Sequence, residues 1–293
     1  MNTDITVCIS IYGSYDVRRL KASIMSLLKQ DPQPNIIVSE QNTGPSDFAD
    51  IPSVDHIFVQ HTEEKYNPGE VRNRALKNSS TKYLYLTDAD LLFPNRTYLQ
   101  DLSVRSEDQT LIHPPMRRII LPAAEKFLNE MDRNGDVAEE MKRLKTDREY
   151  IAYYDSPPEL KIIDRQRKYT IDVKTFEKYK KSSELKGFEP TIFYDVSHIG
   201  GIFSTKEKLE SVGGYSDAYL TWGYEDTDLQ AKLATVGSVI PIPRERKFEV
   251  WHLDHDKSYF DPIQGKANEE KFSHRSKNIN QAIQEDLCNY LNG

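Results

Sequence analysis

Four short apolar segments alternate with helical segments over the first 100 residues, and this alternation constrains the fold more than any other feature. The segments at 5–12, 36–38, 56–59 and 83–86 are rich in β-branched or aromatic residues and predict strands. Apolar residues at helical spacing from 17 to 28, and a second helical pattern over 69–77, predict the helices between them. Such alternation predicts an α/β fold, with a mostly parallel sheet flanked by helices and ligands bound beyond the carboxyl ends of the strands.

The chain of 293 residues is interpreted as one domain in four parts. The parts are an N-terminal half at 1–100, a charged helical insertion at 121–186, a half rich in glycine and aromatic residues at 191–260, and a C-terminal helix at 264–293. Two helical patterns flank Gly135 in the insertion, and we expect a helical hairpin there. Residues Ile279, Ile283, Leu287 and Leu291, at spacing four, predict the C-terminal helix.

Charge and cysteine content exclude several classes of protein. The net charge is −7, which argues against nucleic-acid binding because that requires a basic surface, although local peripheral contact with a membrane stays open. No segment approaches the length of about 18 apolar residues that a transmembrane helix needs. The two cysteines, Cys8 and Cys288, cannot form a disulfide framework, and Cys8 is expected to be a reduced core residue. Since the N-terminus also lacks the basic region of a secretory signal, the sequence predicts a cytoplasmic protein.

Two carboxylates, Asp88 and Asp90, directly follow the fourth predicted strand. Close like charges repel unless a positive charge lies between them, and divalent cations such as Mn²⁺ or Mg²⁺ prefer oxygen ligands. An apolar segment at 91–94 follows the pair, which favours a metal site over the alternative of a solvated turn. Farther along, His252 and His255 could complete such a site with Asp90, although packing roles fit either histidine equally well.

The segment Trp222-Gly223-Tyr224-Glu225-Asp226 precedes another predicted helix. Acidic residues are favoured at a helix N-terminus by the helix dipole, so a plain cap is the alternative to a functional role. Trp222 offers a flat apolar face to a sugar ring, and a carboxylate beside it could act as a general base toward a hydroxyl. Arg72 and Arg74 could reach a nucleotide or a diphosphate, although arginines on helix surfaces are common.

Three motifs, taken in order, give the chain a specific resemblance. They are Arg72-Asn73-Arg74-Ala75, Thr87-Asp88-Ala89-Asp90, and Gly200-Gly201-Ile202-Phe203 leading to Trp222-Gly223-Tyr224-Glu225-Asp226. Over 4–97 and 195–256 the chain resembles nucleotide-sugar glycosyltransferases of the GT-A fold. More narrowly, it resembles family-two transferases whose C-terminal part is similar to that of β-1,4-galactosyltransferases, polypeptide N-acetylgalactosaminyltransferases and chondroitin polymerase. The resemblance implies a GT-A fold that binds the nucleotide with 1–100 and contributes acceptor and catalytic residues from 191–260.

The resemblance also implies an activity. The chain would be a metal-dependent inverting transferase that moves a hexose or N-acetylhexosamine from a UDP-sugar to a hydroxyl of a glycan or small-molecule acceptor, with Mn²⁺ or Mg²⁺ as cofactor. Asp226 would be the catalytic base, and Glu225 would bind sugar hydroxyls. Metal ligands would be Asp90 and His255, with His252 as the second histidine candidate and Asp88 facing the ribose or the water shell of the metal. The residues implied to bind the nucleotide sugar are Ser10, Tyr12, Glu40, Arg72, Asp88, Ala89, Gly201 and Trp222.

Two alternatives to a transferase stay open at the level of sequence. A sugar nucleotidyltransferase would need an early glycine-rich phosphate loop with a lysine, and Gly13-Ser14-Tyr15 matches that pattern poorly. A non-catalytic module of the same fold would bind a sugar or nucleotide and release no UDP from any donor.

Overall fold

The structure is a computed structural model that describes residues 4–13, 17–47, 51, 53–61, 66–119, 121–146, 149–154, 160–164, 169–172, 191–255 and 261–292. Ser14 and Tyr15 of the weak phosphate-loop pattern lie outside these ranges, as does the last part of the predicted insertion, 173–186.

Fourteen strands are described, and we number them in chain order. They are β1 (Ile5–Tyr12), β2 (Asn35–Asn42), β3 (Asp55–Gln60), β4 (Tyr83–Thr87), β5 (Leu91–Leu92), β6 (Thr110–Ile112), β7 (Pro115–Ile119), β8 (Glu149–Tyr154), β9 (Leu160–Asp164), β10 (Tyr169–Asp172), β11 (Thr191–Ser197), β12 (Ile202–Thr205), β13 (Val239–Pro241) and β14 (Val250–Leu253).

The described helices are numbered in the same way. They are α1 (Val17–Leu27), α2 (Pro68–Asn78), α3 (Tyr98–Ser106), α4 (Leu121–Asn134), α5 (Val137–Thr146), α6 (Lys206–Ser211), α7 (Glu225–Val236), α8 (Pro262–Lys277) and α9 (Ile279–Asn292). Among the described residues, no helix combines the length and the apolar character needed to cross a membrane.

The strands form two sheets of seven. The first has the order β13-β6-β12-β4-β1-β2-β3, and all its strands are parallel except β12, which is antiparallel to both neighbours. The second has the order β10-β9-β8-β11-β7-β14-β5 and mixes both directions. Because β4, β1 and β2 are parallel neighbours, their carboxyl ends meet at one edge of the first sheet.

Helices cover both faces of the first sheet, as the alternating pattern predicts. On one face, Val7 and Ile9 of β1 pack in an apolar cluster with Leu20 of α1 and Leu99 of α3. On the other face, Cys8 packs in a cluster whose other members include Leu76, Leu229 and Ile283, from α2, α7 and α9. Both cysteines are unpaired thiols, and burial raises the pKa of Cys8 to about 12. The predicted fold class, an α/β fold with a mostly parallel sheet, is therefore confirmed.

Three features differ from the sequence expectation or extend it. The C-terminal segment forms two helices, α8 and α9, rather than one, because the backbone leaves the helical conformation at Asn278 (φ −131°, ψ 53°). The insertion contains the expected hairpin, with α4 and α5 on either side of Gly135, but its later described segments are the strands β8, β9 and β10. The second sheet was not predicted, for two reasons. The pairings of β7 with β11 and β14, and of β5 with β14, join segments far apart in the chain. The consecutive strands β8, β9 and β10 lie in the segment where the sequence predicts a helical insertion.

Candidate metal and catalytic site

Asp90 and both late histidines lie together. Asp90 immediately precedes β5, and β5 pairs with β14 so that Leu91 lies opposite His252. Asp90 Oδ2 is 3.4 Å from His252 Nε2 and 3.1 Å from His255 Nε2. The potential ligand atoms of the three side chains all lie within 4.8 Å of one another. The sequence left open which histidine accompanies Asp90, and the structure brings both to it.

The chemistry of this cluster suits a divalent metal. Asp90 is 5% exposed, and the described part of the chain offers its Oδ1 no hydrogen-bond partner. A carboxylate with two imidazoles is a donor set that accommodates first-row transition metals. Burial raises the pKa of Asp90, but His252 and His255 outweigh this effect and hold the pKa below its usual range. The carboxylate is therefore kept ionised, as a metal ligand must be.

Asp88, which follows β4, is held from two sides. Its Oδ1 accepts a hydrogen bond from Arg72 Nη2 at 3.4 Å, and its Oδ2 lies 2.8 Å from His198 Nε2. Burial raises the pKa of Asp88, but His198 and then Arg72 lower it overall. For His198 the effects are reversed: burial lowers its pKa, but the negative charge of Asp88 outweighs burial and raises the pKa overall. Sequence reasoning missed His198, and its only signal is its position two residues before Gly200-Gly201.

The turn before α7 places two acids in different surroundings. Three of the four residues before α7 have positive φ values, which is unusual: Thr221 at +56°, Gly223 at +117° and Tyr224 at +70°. Glu225 is buried, its Oε1 accepts a hydrogen bond from Arg72 Nη1 at 3.0 Å, and its Oε2 accepts one from Gly223 N at 2.9 Å. Burial and the neighbouring charge of Asp226 raise the pKa of Glu225 to about 7, although Arg72 opposes them.

Asp226 is more accessible than Glu225 and lies across Gly200 from Asp88. Tyr215 OH donates a hydrogen bond to Asp226 Oδ1 at 2.9 Å, and Arg72 Nη2 is 3.9 Å from Asp226 Oδ2. A Cβ atom at position 200 would lie 3.2 Å from Asp226 Oδ2 and 3.4 Å from Asp88 Oδ1. The glycine therefore keeps space open between the two carboxylates.

Gly201 has a packing role. A Cβ atom there would lie 2.5 Å from Pro114 Cγ and 2.9 Å from His198 Nδ1, closer than such atoms can approach. Pro114 and His198 therefore leave no room for a side chain at position 201. Contact of Gly201 with a nucleotide sugar stays a prediction. Ala89 is buried in the apolar core between Asp88 and Asp90, so only its backbone lies between the two acids.

Three residues predicted to bind the nucleotide, Ser10, Tyr12 and Glu40, lie on β1 and β2 in different surroundings. Ser10 and Tyr12 lie near the carboxyl end of β1, and the Tyr12 ring stacks on Tyr66 with centroids 3.3 Å apart. Glu40 is fully buried; Ser46 N donates to its Oε1 and Oε2 at 3.1 and 3.0 Å, and His56 Nε2 is 2.8 Å from Oε2. Glu40 thus anchors the loop after β2, and its contact with the nucleotide stays a prediction.

Trp222 is 47% exposed and lies four residues before Asp226. Its backbone carbonyl accepts a hydrogen bond from Asn268 Nδ2 at 3.4 Å, and the Leu220 carbonyl accepts one from the same amide at 2.9 Å. Helix α8 therefore supports the turn that presents Trp222. Its predicted contact with a sugar stays a prediction.

Comparison with known proteins finds a family model that is similar to part of the chain. The family model described as the N-terminal domain of galactosyltransferase matches residues 182–256. The matched segment contains His198, Gly200, Asp226 and both late histidines. Over this segment the predicted resemblance to GT-A-type glycosyltransferases is confirmed.

Particular solved structures are also similar to the chain. The mannosyltransferase PcManGT from Pyrobaculum calidifontis, in complex with GDP-Man and Mn²⁺, is 16% identical with a TM-score of 0.47, over 88% of this chain and 59% of that chain. S. aureus TarS is 12% identical with a TM-score of 0.44, over 94% of this chain and 39% of that chain. Its segment 1–349 is 12% identical with a TM-score of 0.45, over 99% of this chain and 71% of that chain. This chain thus spans less than two thirds of the length of the first two proteins. A search of curated proteins found no match.

Proposed function

We propose that this chain is a metal-dependent inverting glycosyltransferase that transfers a hexose or N-acetylhexosamine from a UDP-sugar to a hydroxyl of a glycan or small-molecule acceptor. One observation supports it most directly. Asp90 of the metal-type cluster is close enough to Asp88 for its charge to act on the Asp88 pKa, and the partly exposed carboxylate of Asp226 lies beside Asp88 at Gly200. A candidate cation site and a candidate base therefore both neighbour Asp88, and we propose that they act on one donor. The family match over 182–256 supports the same reaction class.

Asp90, His252 and His255 are the residues that would hold the metal. Two imidazoles favour Mn²⁺ over Mg²⁺, because Mg²⁺ prefers oxygen ligands. When bound, the divalent cation stabilises the negative charge that develops on the diphosphate leaving group. Asp88, oriented by Arg72 and His198, would face the donor beside this site.

Asp226 is the proposed catalytic base. Its Oδ1 is held by Tyr215 OH, and its Oδ2 lies toward Gly200. The Oδ2 atom would take the proton of the acceptor hydroxyl as the hydroxyl oxygen bonds to the anomeric carbon. The bond from that carbon to the diphosphate breaks on the opposite face, so the configuration inverts.

Glu225 contacts Arg72 and the turn before α7 rather than the proposed reaction space. Both of its carboxylate oxygens are engaged, one by Arg72 and one by Gly223 N. It therefore holds Arg72 and the turn before α7 in place. Binding of a sugar hydroxyl by Glu225, which the resemblance implies, would require one of these bonds to be exchanged.

The nucleotide would bind at the carboxyl ends of the strands, near Ser10, Tyr12 and Arg72. We favour a UDP-sugar as the donor because the matching family model is described as a galactosyltransferase domain. GDP-mannose is the donor to test against it, because PcManGT was solved with GDP-Man. Polysaccharide biosynthesis in the cytoplasm is the setting that we propose for the reaction.

The test is nucleoside diphosphate release from a panel of donors in the presence of Mn²⁺. The panel contains UDP-galactose, UDP-N-acetylgalactosamine, UDP-N-acetylglucosamine and GDP-mannose. We expect slow release from one UDP-sugar without acceptor, loss of this release in Asp90→Asn, and retention in Glu139→Gln, a control at an exposed acid on α5. Release from GDP-mannose alone would contradict the UDP assignment.

The same assay separates the alternatives. Absence of release from every donor, with nucleotide still bound, would favour a non-catalytic module. Formation of a sugar nucleotide and pyrophosphate from a nucleoside triphosphate and a sugar phosphate would favour a nucleotidyltransferase.

A further inference from the structure

His252 and His255 are positioned by different kinds of contact. His252 lies inside β14, where it pairs with Leu91 on one side and Arg118 on the other, so the sheet fixes its backbone. His255 lies beyond the last residue of β14, and its side chain is 22% exposed, compared with 8% for His252. The position of His255 therefore depends on what holds the residue directly before it, Asp254.

Three contacts with described residues hold Asp254. Its backbone N donates to the Ile119 carbonyl at 3.1 Å, and its Oδ1 lies 3.6 Å from Arg118 Nε. Both of these partners belong to β7. The third contact comes from α1, where Arg19 Nη2 donates to the Asp254 carbonyl at 2.9 Å. The Arg19 side chain is 4% exposed, so the groups packed around it determine where it points.

Arg19 is also tied to the charged insertion. The same Nη2 atom pairs with Glu125 Oε1 on α4. Arg18 pairs with the other oxygen, Glu125 Oε2, at 3.0 Å. Burial raises the pKa of Glu125, but the two arginines lower it overall and keep it ionised. A buried guanidinium needs such a partner, because an unpaired buried charge is strongly unfavourable.

Apolar packing fixes the insertion against the same strand. Trp251 and Leu253 of β14 share one apolar cluster with residues of α4 and α5, which are Ala124, Phe127, Leu128, Met131, Val137, Met141 and Leu144. Because side chains alternate along a strand, His252 lies on the opposite face of β14 from Trp251 and Leu253. The insertion thus packs behind the strand that presents the metal-type cluster.

We propose that Arg19 is a positioning residue for the metal site and that the insertion, through Glu125, holds Arg19 in place. This proposal rests on the proposed function, since it takes Asp90, His252 and His255 as metal ligands. In this proposal Arg19 acts through the Asp254 carbonyl rather than by contact with the metal or the substrate. It fixes the Asp254 carbonyl and thereby the separation of His255 Nε2 from Asp90 Oδ2. The insertion therefore has a role in the metal site, whatever it contributes to acceptor binding.

The test is Mn²⁺ binding to the whole purified chain, followed by electron paramagnetic resonance and calorimetry, with and without UDP. Arg19→Met should weaken Mn²⁺ binding by about 10-fold or more, the effect typical of removing a group that orients a metal ligand. Arg18→Met is the matched control, because Arg18 pairs with the same Glu125 and donates to Asn129 Oδ1 instead of the Asp254 carbonyl. It should leave the affinity close to that of the wild type. Asp90→Asn should abolish binding.

Melting temperatures separate positioning from general destabilisation. A purely structural role of Arg19 would lower the melting temperature and leave the Mn²⁺ affinity of the folded protein unchanged. If Arg19→Met does not fold, Glu125→Gln replaces it, since this partly exposed side chain tolerates a neutral substitute. Glu125→Gln should weaken Mn²⁺ binding more than Arg18→Met does, because it also releases Arg19.

The outcomes distinguish this proposal from the proposed function. Wild-type affinity in Arg19→Met, or equal losses in Arg19→Met and Arg18→Met, would overturn the positioning role and leave the metal site intact. A wild type that binds no Mn²⁺, with or without UDP, would overturn the metal dependence and the positioning role together.

Discussion

Replacing Asp226 with asparagine removes the proposed base while leaving the other contacts of the site in place. The amide oxygen of asparagine can still accept the hydrogen bond that Tyr215 OH donates at 2.9 Å. Arg72 loses an ion partner at 3.9 Å but keeps Glu225 at 3.0 Å and Asp88 at 3.4 Å. We therefore expect Asp226→Asn to fold and to bind UDP.

The expected loss is one of turnover, because an amide cannot take the proton of the acceptor hydroxyl. General-base catalysis typically contributes ~10²–10⁴-fold. The corresponding increase in activation free energy is about 2.7–5.4 kcal/mol. We expect kcat to fall by at least ~10²-fold, with little change in KM for the donor, since Asp226 acts mainly in the transition state.

The assay is transfer at saturating Mn²⁺ with the donor that the panel identifies, together with calorimetry of UDP binding. Tyr215→Phe is the matched variant, because it removes the hydroxyl that orients Asp226 but leaves the carboxylate. Its loss of kcat should be smaller than that of Asp226→Asn. Turnover near the wild-type value in Asp226→Asn would remove this residue from the mechanism.

Three further predictions concern the metal, Gly200 and Glu225. Chelation with EDTA should abolish transfer and Mn²⁺ should restore it; activity that survives chelation would contradict the metal assignment. Gly200→Ala should lower kcat strongly and change the free energy of unfolding little, because the new methyl group would lie 3.2 Å from Asp226 Oδ2 and 3.4 Å from Asp88 Oδ1. An unchanged kcat would mean that the reactants do not use the space between these two carboxylates. Glu225 has a folded-state pKa of about 7, above its ordinary value of 4.5, so the folded protein binds this proton more tightly than the unfolded chain does. Its contribution to the free energy of unfolding is therefore fully present below about pH 4.5 and is lost as the pH rises through about 7. In urea unfolding, the difference in free energy between wild type and Glu225→Gln should fall over that range, and a difference that grows with pH would contradict the raised pKa.

Local pattern is sufficient to predict some elements of this fold and not others. Strands β1 and β4 are almost continuously buried, so each is an unbroken apolar or β-branched run in the sequence. Strand β5 consists of Leu91 and Leu92 alone, and it is a strand only because it pairs with Trp251 and His252. No local pattern encodes that pairing, so this part of the second sheet cannot be predicted from the sequence.

Some residues of the candidate site can also be predicted from the sequence, and others cannot. The residue types and order of Asp88, Asp90 and Asp226 are visible in the motifs, and so are the two late histidines. Arg72, which contacts Asp88 and Asp226, is visible as well. Other partners are not, because tertiary pairing joins residues far apart in the chain. His198 beside Asp88 and Tyr215 beside Asp226 have no motif of their own.

A crystal structure with Mn²⁺ and UDP tests the central claim most directly. The account predicts one Mn²⁺ ion coordinated by Asp90 Oδ, His252 Nε2 and His255 Nε2. It also predicts that the diphosphate of UDP contacts that ion. A Mn²⁺ ion bound to UDP but remote from Asp90 and from both histidines would contradict the account.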